Sequence, residues 1–189
     1  MKNLKTIYLH ADNDPTTEFL SALYKDDKNA TVISKGYSKQ EVLQLIDNHD
    51  RAVFLGHGTR AGLINTYSAF TSTNFYIIDQ EAIEILKKKD NSVFIWCYAS
   101  EFQKHHKLSG FSCWNFISQD DELCGGNLSQ SDVKFINESN DTFVSILKDC
   151  IHLSNEEIYD HLKLEYGKVA INNPVAKYNC EHLYHYTSQ

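Results

Sequence analysis

"RAVFLGHGTRAGL" (residues 51–63) and "SVFIWCYAS" (residues 92–100) follow one design, an apolar run that ends on a group able to do chemistry. The runs AVFL and VFIW are nearly continuous in apolar side chains, as a strand covered on both faces requires. Such strands belong to parallel sheets with helices packed on either side. His57, between two glycines, closes the first run and Cys97 closes the second. Each therefore marks the point where a buried strand reaches the surface.

The neighbouring segments fit the same architecture. "KTIYLHAD" and "ATVIS" read as two earlier strands and "GFSCWNFIS" as a fifth. Asp14 reads as an N-cap with Pro15 at the first helical position, so a helix is expected there. Ser38 and Glu41 form a capping box ahead of Val42, Leu45 and Ile46 at helical spacing. "GLINTYSAFTSTNFYIID" alternates around a polar centre, which predicts a hairpin. A helix over about 80–89 ends in lysines that suit the negative end of its dipole. The expected fold is α/β, a three-layer α/β/α sandwich with a mainly parallel sheet and a hairpin after His57. Its first four strands are expected in the order 2-1-3-4, with the fifth beyond.

After Cys97, "SEFQKHHKL" reads as a helical turn and "QDDELCGGNLSQSD" as an exposed loop. Val133, Ile136, Phe143 and Leu147 share helical spacing. Ser154 and Glu157 form a second capping box, with Gly167 as the expected C-terminal stop. Asn172-Asn173-Pro174 turns the chain into a last short helix. No repeat, low-complexity tract or linker divides the sequence, so residues 1–189 are expected to form one domain.

The 189 residues carry a formal net charge of −7, which argues against nucleic acid or an anionic membrane as partner. No apolar run approaches the roughly 20 residues of a membrane span. "MKNLKTIYLHADND" lacks the apolar core of a signal peptide, and five irregularly spaced cysteines do not suggest a disulfide framework. A cytoplasmic setting is expected.

In an open α/β sheet, ligands bind beyond the carboxyl ends of the strands. His57 and Cys97 stand at two such ends, on consecutive strands expected to be neighbours about 4.8 Å apart. A thiolate is a nucleophile, and an imidazole can take the thiol proton or protonate a leaving amine. Gly58 would allow close backbone approach to a ligand and leave an N–H for an oxyanion.

These residues resemble the caspase-like cysteine peptidases: an apolar strand ending in His-Gly, a hairpin, a helix, then an apolar strand ending in Cys. The likeness spans about residues 4–118 and is specific around 53–62 and 93–100; the tail "NNPVAKYNCEHLY" resembles those of small bacterial caspase-like proteins. The resemblance implies that Cys97 is the nucleophile and His57 the general acid/base. It also implies an oxyanion hole formed by the N–H groups of Gly58 and Cys97, and a peptide or protein substrate without a cofactor. The Gln-Ala-Cys-x-Gly signature of caspases is absent. Ile95, at a position that lines the substrate pocket in the family, cannot bind a charge, so cleavage after aspartate is not expected. Asp12 and Asp14 follow the first strand, where the family places specificity residues, and would select a basic side chain.

Other patterns carry less. Cys97, His105, His106, Cys113 and Cys124 match no common zinc spacing, so no metal site is expected. Asp120, Asp121 and Glu122 read as a solvated loop, after the fifth strand and able to border a cleft. Cys180, His182 and His185 read as packing and surface residues. "GHGTRAG" lacks the spacing of a phosphate loop and precedes a hairpin rather than a helix. The alternative kept is a catalytically silent module on the same fold that binds a peptide or protein partner.

Overall fold

Every second residue of the central strands points to the same side of the sheet, and both sides are buried. In the computed structural model, which describes residues 4–11, 14–66, 69–70 and 75–187, β1 (Thr6–His10), β2 (Thr31–Ile33) and β3 (Arg51–Leu55) are parallel. Beyond the short antiparallel sheet of β4 (Gly58–Thr59), β5 (Gly62–Ile64) and β6 (Tyr76–Ile78), the main sheet resumes with β7 (Val93–Ile95) and β8 (Gly110–Cys113). The last strand, β9 (Leu183–Tyr186), runs antiparallel along β8. The order of the six main strands is β2-β1-β3-β7-β8-β9, as expected for the first five.

Helices cover both faces. Ile7, Leu9, Phe54, Phe94 and Trp96 look toward α1 (Lys39–Asp47), the single turn α2 (Ile83–Leu86) and α3 (Ala99–His106). Tyr8, Val53, Leu55, Val93 and Ile95 look the other way, toward α4 (Ile136–Cys150) and α5 (Asn155–Val169). A smaller cluster of Ile117, Leu123, Ile136 and Val175 anchors α6 (Pro174–Glu181), which Asn173 caps with Pro174 in its first turn. Among the described residues no helix is long and apolar enough to cross a membrane.

Several expectations fail locally, each for a physical reason. No α-helix starts at Pro15. Asp14 Oδ1 accepts from Thr16 N at 3.1 Å in an Asx-type turn, and a 3-10 helix over Glu18–Leu23 follows. The helix expected over 80–89 is a 3-10 turn (Gln80–Ala82) joined to α2. The stretch expected as an exposed loop holds one 3-10 helix, Asp120–Gly126, and the start of a second, Gln130–Phe135, with the buried Leu123 as its anchor. Gly167 does not end α5, which continues to Val169 through tertiary packing. "SEFQKHHKL" gives a full helix, and β9 was not anticipated.

Two glycines predict opposite outcomes. A Cβ at Gly62 (φ +148°) would lie 1.9 Å from the Ile78 carbonyl oxygen, so Gly62→Ala should cost more than about 3 kcal/mol. Gly167 is helical with nothing within 4 Å of an added Cβ, so Gly167→Ala should stabilise by about 0.5–1 kcal/mol. Urea denaturation of the two variants measures both.

Candidate functional site

The tips of β3 and β7 are in register. Leu55 opposes Ile95, and Gly56 N donates to Ile95 O at 3.1 Å, so His57 and Cys97 each stand two residues past a paired position. Counting by twos from Leu55 and from Ile95 sends both toward the α4/α5 face. There they line one cavity of about 20 Å³, with Ile95, Leu20, Phe116 and Glu122 among its walls. That is room for about one water molecule.

Trp96 turns the other way and ties the tips together. Its ring meets Phe54, Phe94 and Phe102, and its Nε1 donates to Thr59 O at 3.1 Å. A Cβ on Gly58 would fall 2.0 Å from Trp96 Cδ1. The close approach expected at Gly58 is thus made by this indole rather than by a ligand. Ile64 N donates to His57 O at 2.9 Å and Gly58 opposes Leu63, so the Gly58 N–H points away from β5. After Cys97 the chain bends sharply. Tyr98 sits in the left-handed region (φ +66°), steadied by the edge of its ring against Trp114, and α3 begins at Ala99. A non-glycine residue in that region is uncommon and stores strain, here directly beside the cysteine.

Asp14 is not where a substrate-binding carboxylate would be. Its side chain is 1% exposed and faces His57, with Oδ2 3.2 Å from His57 Nε2. Thr16 Oγ1 stands between them, 2.6 Å from Asp14 Oδ1 and 2.7 Å from His57 Nε2. Burial alone would raise the Asp14 pKa, but His57 and Thr16 together hold it well below the usual carboxylate range. In return the Asp14 carboxylate raises the His57 pKa against the opposing effect of burial, helped by Glu122 and Asp121. Asp12 lies outside the described residues. Ile95 is buried and forms part of the cavity wall.

The thiol has the opposite surroundings. Cys97 Sγ is 3.9 Å from Glu122 Oε1 and 4.0 Å from Phe116 O. Burial, then the Glu122 charge, pushes its pKa up to about 12. Glu122 cannot readily turn aside, because Oε2 accepts from Ser118 N (2.7 Å), Ser118 Oγ (3.1 Å) and Gln119 N (3.2 Å). Cys97 therefore rests as a thiol.

The other residues considered do not join this site. Cys113 is buried in β8 with Sγ 3.4 Å from Trp96 O, and Cys124 is exposed. The rings of His105 and His106 meet at 4.7 Å on α3. Among the described residues no three His, Cys, Asp or Glu side chains are placed to hold a metal ion. Sequence reasoning missed Thr16 and misread Glu122. Thr16 carried no signal beyond its place after Asp14-Pro15, whereas Glu122 stood in a loop already suspected of bordering a cleft. No family model, curated protein or solved structure matches the chain.

Replacing Glu122 by Gln removes a charge that disfavours the thiolate, so the Cys97 pKa should fall. Below that pKa each unit is tenfold in thiolate, so alkylation by iodoacetamide at pH 7–8 should accelerate about tenfold. Mass-spectrometric mapping of Cys97 against the exposed Cys124 supplies the internal reference.

Proposed function

We propose that the chain is a caspase-like cysteine endopeptidase that hydrolyses peptide bonds with Cys97 and His57. One observation carries the reading: the two side chains line a single cavity at register-matched tips of adjacent strands, and a buried carboxylate backs the imidazole. In this reading His57 takes the Cys97 thiol proton as Sγ attacks the substrate carbonyl carbon. The oxyanion is received by the backbone N–H groups of Gly58 and Cys97. The C–N bond then breaks, His57 protonates the leaving amine, and a thioester remains on Cys97. Water, losing a proton to His57, hydrolyses the thioester, and that proton returns to the sulfur. Asp14 supports the imidazolium formed at each transfer. The substrate is a peptide or protein, no cofactor takes part, and a cytoplasmic setting would keep the five thiols reduced.

Preference for a basic residue before the cut remains part of the proposal, with Asp12 as its determinant. Asp14 is withdrawn from that role because it is buried against His57. Glu122 adds a second carboxylate at the cavity wall, which favours a cationic side chain over an acidic one.

A second reading, the silent partner-binding module, is favoured by one observation. The cavity is about 20 Å³ and Glu122 opposes the thiolate, so the site as it stands is closed and unactivated. Fluorogenic peptides ending in Arg, Lys, Asp, Asn and Leu separate the readings. Peptidase activity should favour Arg and Lys, vanish in Cys97→Ala and His57→Ala, and lose its basic preference in Asp12→Ala. Hydrolysis of none of them by the wild type would leave the silent module.

The pH profile adds a signed test. Asp14 raises the His57 pKa, and only neutral His57 accepts the thiol proton, so kcat/KM should rise with pH through that raised value. Asp14→Asn should move this acidic limb to lower pH and reduce the plateau.

A further inference from the structure

We propose that Thr16 is a positioning residue whose hydroxyl, set between the Asp14 carboxylate and His57, fixes the imidazole tautomer and makes Nδ1 the basic nitrogen. The catalytic meaning of this assignment rests on the peptidase reading, but the tautomer itself does not.

The inference comes from counting protons. Thr16 Oγ1 lies 2.6 Å from Asp14 Oδ1 and 2.7 Å from His57 Nε2, both hydrogen-bond distances. Asp14 is ionised over the neutral range, and an ionised carboxylate can only accept. The single hydroxyl proton of Thr16 therefore goes to Asp14, and toward His57 the same oxygen can only accept. Nε2 must supply the proton of that second bond. A neutral imidazole carries one N–H, so Nδ1 keeps its lone pair, and it has no hydrogen-bond partner among the described residues. Asp14 Oδ2 lies 3.2 Å from the same Nε2, so this nitrogen faces a carboxylate oxygen as well as the hydroxyl, and both neighbours call for a proton on it.

Local geometry locks the arrangement. Asp14 Oδ1 also accepts from Thr16 N at 3.1 Å, so one turn sets both the hydroxyl and the carboxylate. In the other tautomer, an Nε2 lone pair would face the Thr16 oxygen lone pairs, or Thr16 would have to withdraw its proton from a buried carboxylate. With Nε2–H anchored, the thiol proton passes from Sγ to Nδ1 and from Nδ1 to the leaving amine. Asp14 takes up no proton at any stage.

Nitrogen-15 NMR of labelled protein, above the His57 pKa, tests the assignment without any substrate. The wild type should show a protonated Nε2, an unprotonated Nδ1, and an exchange-protected Nε2–H signal. Thr16→Ser should retain all three, whereas Thr16→Val should lose the protected signal and gain the Nδ1–H tautomer. A wild type with the proton on Nδ1, or an even mixture, overturns the proposal, and so does a Thr16→Val protein with wild-type shifts, because Asp14 alone would then orient the ring. The wild-type and Thr16→Ser spectra decide the matter even if Thr16→Val does not fold. In peptide cleavage, Thr16→Val should lower kcat about 10- to 100-fold with little change in KM, and Thr16→Ser should restore it. If no form of the protein cleaves peptides, the peptidase reading fails while the spectra still settle Thr16.

Discussion

The pairing of β3 with β7 constrains everything around it. Val53, Phe54 and Leu55 lie opposite Val93, Phe94 and Ile95, so any residue a fixed step beyond one strand is matched by its counterpart beyond the other. A slip of one residue would send Cys97 to the opposite face from His57, because side chains alternate along a strand. The stacking of Phe54 on Phe94 at 5.3 Å opposes such a slip. So does the Trp96 indole, held to the first tip by its bond to Thr59 O and by a glycine that leaves room for its ring.

Around that frame the site is electrostatically lopsided. One carboxylate, Asp14, favours the imidazolium; another, Glu122, disfavours the thiolate. Burial weighs against both charged forms, the thiolate and the imidazolium. In the proposed peptidase, proton transfer would therefore wait for a substrate to bring its own dipoles into the cavity.

Much of this was legible in the chain. Four-residue apolar runs mark strands buried on both sides, and the alternation of runs with capped segments such as Ser38–Glu41 yields the strand order. His57 and Cys97 stand out because chemically able residues rarely close two such runs. What escaped is tertiary. Asp14 followed by Pro15 carries the local signature of a helix start, but the carboxylate is held by His57 from 43 residues away. Thr16 has no signature, since a hydroxyl bridging two distant groups leaves no periodicity. Glu122 was placed near a cleft but not pointed into it, because the buried Leu123 folds an apparently solvated stretch inward. The strand β9 is four residues of Leu, Tyr and His, too short to declare a period.

That last strand bears on how the molecule is made. β8 ends at Cys113 and its outer partner begins at Leu183, so 69 residues lie between them in the chain. At a synthesis rate of about 5–20 residues per second, β8 waits roughly 4–14 s for its neighbour to be made. Throughout that interval β8 presents an unpaired edge to other nascent chains. α4 and α5, synthesised between the two strands, pack on the face of the sheet, so closing this edge is left to β9 alone.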